Sequence, residues 1–101
     1  MTSPRQLVPG QFYQGEDEEL SYSVNVGAWV AAPTGACTIV KLDNADATSS
    51  VTSGTTSVSG CVITTPCLLN LVDGNNYRVE VKFSDDGGQI WETFFHVTGE
   101  E

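Results

Sequence analysis

Catalysis in a small chain must come from its titratable and nucleophilic side chains, and here they are few. His96 is the only histidine, and a general base needs a nucleophile and an orienting partner within reach. No serine or cysteine motif marks either partner, so His96 is read as an exposed or interface residue and the protein as a non-enzyme with no catalytic residue. The runs "GEDEE" at 15–19 and "DNAD" at 43–46 supply the oxygen donors that calcium takes. Calcium asks for about six to eight oxygens on a defined loop, and neither run has the required alternation of acidic positions followed by a distant glutamate. Both read as solvated acidic loops, and no metal or cofactor is assigned. The three cysteines, Cys37, Cys61 and Cys67, read as thiols in small buried or half-buried positions, the alternative being a bridge between Cys61 and Cys67.

Thirteen acidic residues against four basic ones give a net charge of −9. Arg5, Lys41, Arg78 and Lys82 are scattered along the sequence, so the clustered Lys and Arg that bind phosphate backbones are missing and no nucleic-acid partner is expected. From Met1 there is no basic segment followed by an apolar run, which leads to the expectation of neither a secretory signal nor a membrane span. Synthesis and folding are then placed in a cytoplasm. A length of 101 residues suits one domain with a single modest core, read as 1–101 with residues 1–10 as a flexible N-terminal arm.

The elements that must carry these residues are strands. In "LSYSVNV" Leu20, Tyr22, Val24 and Val26 alternate with polar residues, and in "YRVEVKF" Tyr77, Val79, Val81 and Phe83 alternate with Arg78, Glu80 and Lys82. Period-two alternation places one set on a buried face and the other on an open one. "CTIVKL" at 37–42 and "CVITT" at 61–65 are shorter strand-like runs. Gly, Ser, Thr, Asn and Asp cluster at 43–60, 73–76 and 84–88, and no window has helical spacing. The fold is read as all-β, an antiparallel sandwich of about seven strands, with 43–60 as a mobile or edge region.

"LLNLVDGNNYRVEV" shows how the sheets are joined. Leu68 and Leu71 can plug one end of the core, Asp73 and Gly74 make the turn, and Tyr77 starts the next strand with its ring inward and its hydroxyl on backbone a few residues upstream. These residues resemble the tyrosine corner of fibronectin type III and related immunoglobulin-like domains, with Asp73 where that family usually has proline. More widely, "YQGEDEELSYSV", the Trp29 and Pro33 segment, the Ser/Thr-rich stretch, the corner and a final aromatic strand resemble small immunoglobulin-like proteins encoded among the structural genes of tailed bacteriophages.

"SDDGGQIW" at 84–91 resembles the Asp-box of sialidases and other β-propeller proteins, with Ile90 in place of the usual threonine. In that motif the Asp and Ser satisfy backbone donors and the Trp covers the turn, so Asp86, Gly88 and Trp91 are read as hairpin residues and not as a glycan-cleaving site.

The phage resemblance implies a virion component, a head decoration or a neck or tail accessory, made in the host cytoplasm and then carried on the particle. Its partners would be other virion proteins or further copies of itself, and no small-molecule ligand or membrane is expected. The alternative is a carbohydrate-binding module that stacks sugars on Phe12, Tyr13 and Trp29. Alternation in the last strand turns Trp91, Thr93, Phe95 and Val97 to the core and Ile90, Phe94 and His96 outward as an interface, unless the segment around Phe12 and Tyr13 folds over that face.

Overall fold

The computed structural model describes residues 6–27, 29–85 and 87–100. In chain order the elements are β1 (Gln6–Gly15), β2 (Ser23–Asn25), β3 (Thr34–Leu42), β4 (Ala45–Asp46), α1 (Thr48–Val51), β5 (Thr52–Ser53), β6 (Ser57–Ser59), β7 (Val62–Thr64), β8 (Cys67–Leu68), β9 (Asn76–Ser84) and β10 (Ile90–Glu100). Among the described residues the protein is all-β apart from one helical turn. Its framework is a five-stranded sheet in the order β1-β10-β9-β3-β4, beside a three-stranded sheet β2-β7-β6 and the pair β5-β8.

β9 gives the clearest alternation in the sequence because it lies in the middle of the large sheet, antiparallel to β10 on one side and to β3 on the other. Tyr77, Val79, Val81 and Phe83 point inward together with Val40 of β3 and Phe95 and Val97 of β10. Opposite them stand Val24, Ile63 and Leu68 from the small sheets, and all belong to one apolar core. Each large apolar side chain buried there contributes roughly 1.5–3 kcal/mol. Phe12, Tyr22 and Phe95 close a triangle of rings with centroids 5.4–5.5 Å apart, a spacing typical of favourable aromatic pairs.

Three expectations change. β1 pairs with β10 in parallel, so the large sheet is not purely antiparallel, and β1 begins at Gln6, inside the segment 1–10 read as an arm. The β1 register breaks between Gln6 and Gln11, the stretch that holds Pro9 and Gly10. A proline removes a ladder donor and is tolerated at an edge strand or a bulge. Among the described residues the strands also number ten rather than about seven, because the chain between 43 and 68 is divided into pieces of two or three residues.

That Ser/Thr-rich stretch is tied to the sheet by its hydroxyls. Asp43 and Asn44 both have positive φ (52° and 68°), the conformation of a tight two-residue hairpin between β3 and β4. The Thr48 hydroxyl donates to Asp46 Oδ1 (2.7 Å) and accepts from the Val40 amide (2.9 Å), while the Thr38 and Thr56 hydroxyls meet at 2.8 Å. Val51 on α1 is buried in the core.

Candidate interaction surface

The two faces of the large sheet differ completely in chemistry. On the outer face the pairing of β3, β9 and β10 sets side chains in three rows: Cys37, Lys82 and Glu92; Ile39, Glu80 and Phe94; and Lys41, Arg78 and His96. Glu80 is at the centre, buried beneath its neighbours, and receives Arg78 Nε at 2.9 Å and Lys41 Nζ at 3.4 Å. A carboxylate shared by two cations is compensated for its loss of water. Glu92 lies 3.9 Å from both Arg78 Nη2 and Lys82 Nζ, too far for a hydrogen bond.

Phe94 and His96 are on this face, as alternation requires, but Phe94 is not the open apolar group that alternation alone implies. It is 8 % exposed because the Arg78 guanidinium lies 3.8 Å from its ring centroid and His96 meets it edge-on at 5.7 Å. Such a cation over an aromatic ring is worth about 0.5–1 kcal/mol at a partly exposed site. Ile90, at the hairpin end of β10, is 75 % exposed. Burial and the positive charge of Arg78 together push the His96 pKa below its ordinary value, so this imidazole is neutral at pH 7.

The segment around Phe12 and Tyr13 does not fold over this face, because it is part of β1, the edge strand beside β10 in the same sheet. Phe12 turns into the core against Tyr22 and Phe95, whereas Tyr13 is 63 % exposed. The two rings leave β1 in opposite directions, and Trp29 packs against the core, so Phe12, Tyr13 and Trp29 do not form one sugar-stacking platform.

At the corner, Leu68, Leu71 and Tyr77 are all buried. The Val72 amide donates to the Tyr77 hydroxyl at 3.0 Å, and Gly74 turns the chain with φ +85°. Gly74 N donates to Gly99 O and Gly99 N to Asn75 O, both at 2.9 Å. The corner thus rests on the backbone of Gly99, where an added Cβ would overlap the Val72 carbonyl. Nothing in the sequence near Gly99 marks it, since its constraint comes from a loop more than twenty residues earlier.

In the β9–β10 hairpin the organising carboxylate is Asp85. Its Oδ1 accepts from the Gly87 and Gln89 amides, each at 2.9 Å, and its Oδ2 accepts from the Trp91 indole at 3.0 Å. These bonds, the indole's first, hold its carboxyl below the usual range. The sequence reading placed this role at Asp86, which lies outside the described residues. Gly88 follows with φ +80°. Adjacent Asp residues made the choice between the two unreadable from spacing alone.

Gln14 is a further residue that sequence reading missed. Fully buried, it donates to the carbonyls of Glu18 (2.9 Å) and Leu68 (2.8 Å) and accepts from the Tyr22 hydroxyl (2.9 Å). Burial, and secondarily Glu18, raise the Tyr22 pKa to about 12. Among the described residues no three His, Cys, Asp or Glu side chains stand close enough to hold a metal ion, and Cys37, Cys61 and Cys67 are unbridged.

No protein-family model matches the chain, and neither a curated protein nor a solved structure is significantly similar to it.

Proposed function

We propose that this protein is a non-enzymatic structural protein that acts by protein–protein contact through the outer face of the five-stranded sheet. The observation that carries this reading is the composition of that face: a patch in which Lys41, Arg78 and Lys82 interleave with Glu80 and Glu92 around Phe94 and His96, bordered by an Ile90 that is largely exposed. Charged groups around a preformed aromatic contact suit recognition of another protein surface, since Arg and aromatic residues are enriched where binding energy concentrates. The resemblance of the corner and of the strand rhythm to immunoglobulin-like phage proteins supports placing it on a virion, as a head decoration or a neck or tail accessory, with other virion proteins or copies of itself as partners. On that reading it is made in the host cytoplasm and then carried on the particle.

The test is co-expression with the products of its neighbouring genes, followed by gradient sedimentation. The chain is expected in the particle fractions, and Ile90→Glu is expected to remove it from them while leaving its melting temperature within about 2 °C, as for an exposed substitution with little effect on stability. A chain that stays at the top of the gradient with every neighbour refutes the reading.

A further inference from the structure

His96 stands on the outer face where a positive charge has least support. The register of the large sheet lays one row across it: Asp46 of β4, Lys41 of β3, Arg78 of β9 and His96 of β10, with Gln11 of β1 at the next position. The carboxylates near this row are engaged elsewhere. Glu80 receives Arg78 Nε at 2.9 Å and Lys41 Nζ at 3.4 Å, and Glu92 lies 3.9 Å from Arg78 Nη2. Asp46 is opposite Lys41, and its Oδ1 accepts from the Thr48 amide and hydroxyl. Along β10 itself, Glu92 and Glu100 share the parity of His96 at four residues' distance, about 13 Å on an extended strand. That exceeds the Debye length of about 8 Å at about 0.15 M salt. β1 brings only the Tyr13 phenol, since residues 6–15 include no Asp, Glu, Lys, Arg or His. The charged group that faces His96 is Arg78, directly opposite on β9.

We propose that His96 is an acid-operated cover of Phe94: on taking a proton it turns off the ring and leaves Phe94 open on the outer face. In the neutral form the imidazole meets Phe94 edge-on with centroids 5.7 Å apart, and the Arg78 guanidinium lies 3.8 Å from the same ring centroid. Between them Phe94 is buried. A protonated His96 places a second cation against that ring and sets like charges directly opposite each other on paired strands, which destabilises a sheet. One of the two side chains must move. Arg78 is tied by its Nε bond to the buried Glu80, whereas among the described residues the His96 imidazole makes no hydrogen bond or ion pair. His96 is also half-buried, so rotation about its Cα–Cβ bond carries the imidazolium into water.

Burial first, and the charge of Arg78 second, hold the His96 pKa below its ordinary 6.5. The unfolded chain therefore takes up this proton before the folded one does. Stability falls as pH drops through about 6.5 towards the folded value, and the outward turn of the imidazolium limits that loss. The device is a property of the face alone and does not depend on what the face binds.

A proton NMR titration of the isolated protein from about pH 8 to about pH 4.5 tests it, a range that spans the ordinary histidine value. Since His96 is the only histidine, its signals are read without overlap. The expected midpoint lies below 6.5; through-space contacts between His96 and Phe94 vanish across it, while those between Arg78 and Phe94 persist. Raising salt from about 0.05 M to about 1 M should move the midpoint up, because salt screens the Arg78 charge and leaves burial unchanged. Arg78→Met, shown to be folded by circular dichroism, should move it up as well and abolish most of the salt dependence. Thermal melts of His96→Gln should stay level over about pH 7.5–5.5, where the wild type declines. A midpoint at or above 6.5, His96 contacts to Phe94 that survive protonation, departure of Arg78 in place of His96, or a midpoint indifferent to both salt and Arg78→Met overturns the inference.

Discussion

Tyr77→Phe isolates the bond that closes the corner. The ring is almost wholly buried, so phenylalanine fills the same space and the change is confined to the hydroxyl, which accepts from the Val72 amide at 3.0 Å. A net hydrogen bond is worth about 0.5–1.5 kcal/mol, and a buried donor left without a partner costs about 1–3 kcal/mol. The Val72 side chain is itself exposed, so water can reach part of the freed amide, and the lower half of that range applies, about 1–2 kcal/mol. For 101 residues the unfolding entropy is about 0.2 kcal/mol/K, so the melting temperature should fall by roughly 5–10 °C. Urea denaturation should show a lower midpoint with an unchanged m-value, because neither end state changes the surface it exposes. Tyr13→Phe, at an exposed ring, is the control and should leave both readings unaltered. An unchanged midpoint for Tyr77→Phe would show that the hydroxyl contributes nothing to the corner and that the packed ring alone holds it.

Gly99→Ala should destabilise far more than its size suggests, about 2–4 kcal/mol as an overpacking change against rigid backbone, because the new methyl meets the Val72 carbonyl; a chemical melt no different from wild type would contradict that approach. Asp85 has a folded-state pKa below its unfolded one, so the unfolded chain takes up its proton first. Its contribution is present above about pH 4 and is lost as pH falls through the folded value. Asp85→Asn should therefore lower the melting temperature at pH 7, shift Trp91 fluorescence through loss of the indole acceptor, and flatten the decline below about pH 4 relative to wild type. Parallel pH curves for the two proteins would remove Asp85 from this role.

The parts of the fold legible in the sequence are those set by neighbours along the chain. Alternation in 77–83 and 91–97 separates an inner from an outer face because successive side chains on a strand point in opposite directions, and the burial of Val79, Val81, Phe95 and Val97 follows that parity. The corner residues Leu68, Leu71, Gly74 and Tyr77 lie within ten positions of one another, so turn chemistry and spacing place them together. Even the outer rows were in part accessible: once the hairpin sets Ser84 opposite Ile90, Arg78 must fall opposite His96 and Glu80 opposite Phe94.

What depended on tertiary structure was every relation between segments with no fixed separation in the chain. Parity puts Phe94 outside, but only the approach of Arg78 from the next strand decides that it is covered. Glu80 gains Lys41 as a partner only because β3 lies against β9. Gln14 finds Leu68 fifty-four residues away, and the constraint on Gly99 comes from the corner folding back onto it. By itself the sequence determined the strand parity, the turn positions and the excess of negative charge. The packing of the sheets gathered Lys41, Arg78 and Lys82 onto one face beside Glu80 and Glu92, because strand order and register, unlike periodicity, are settled by which apolar faces bury most surface against one another.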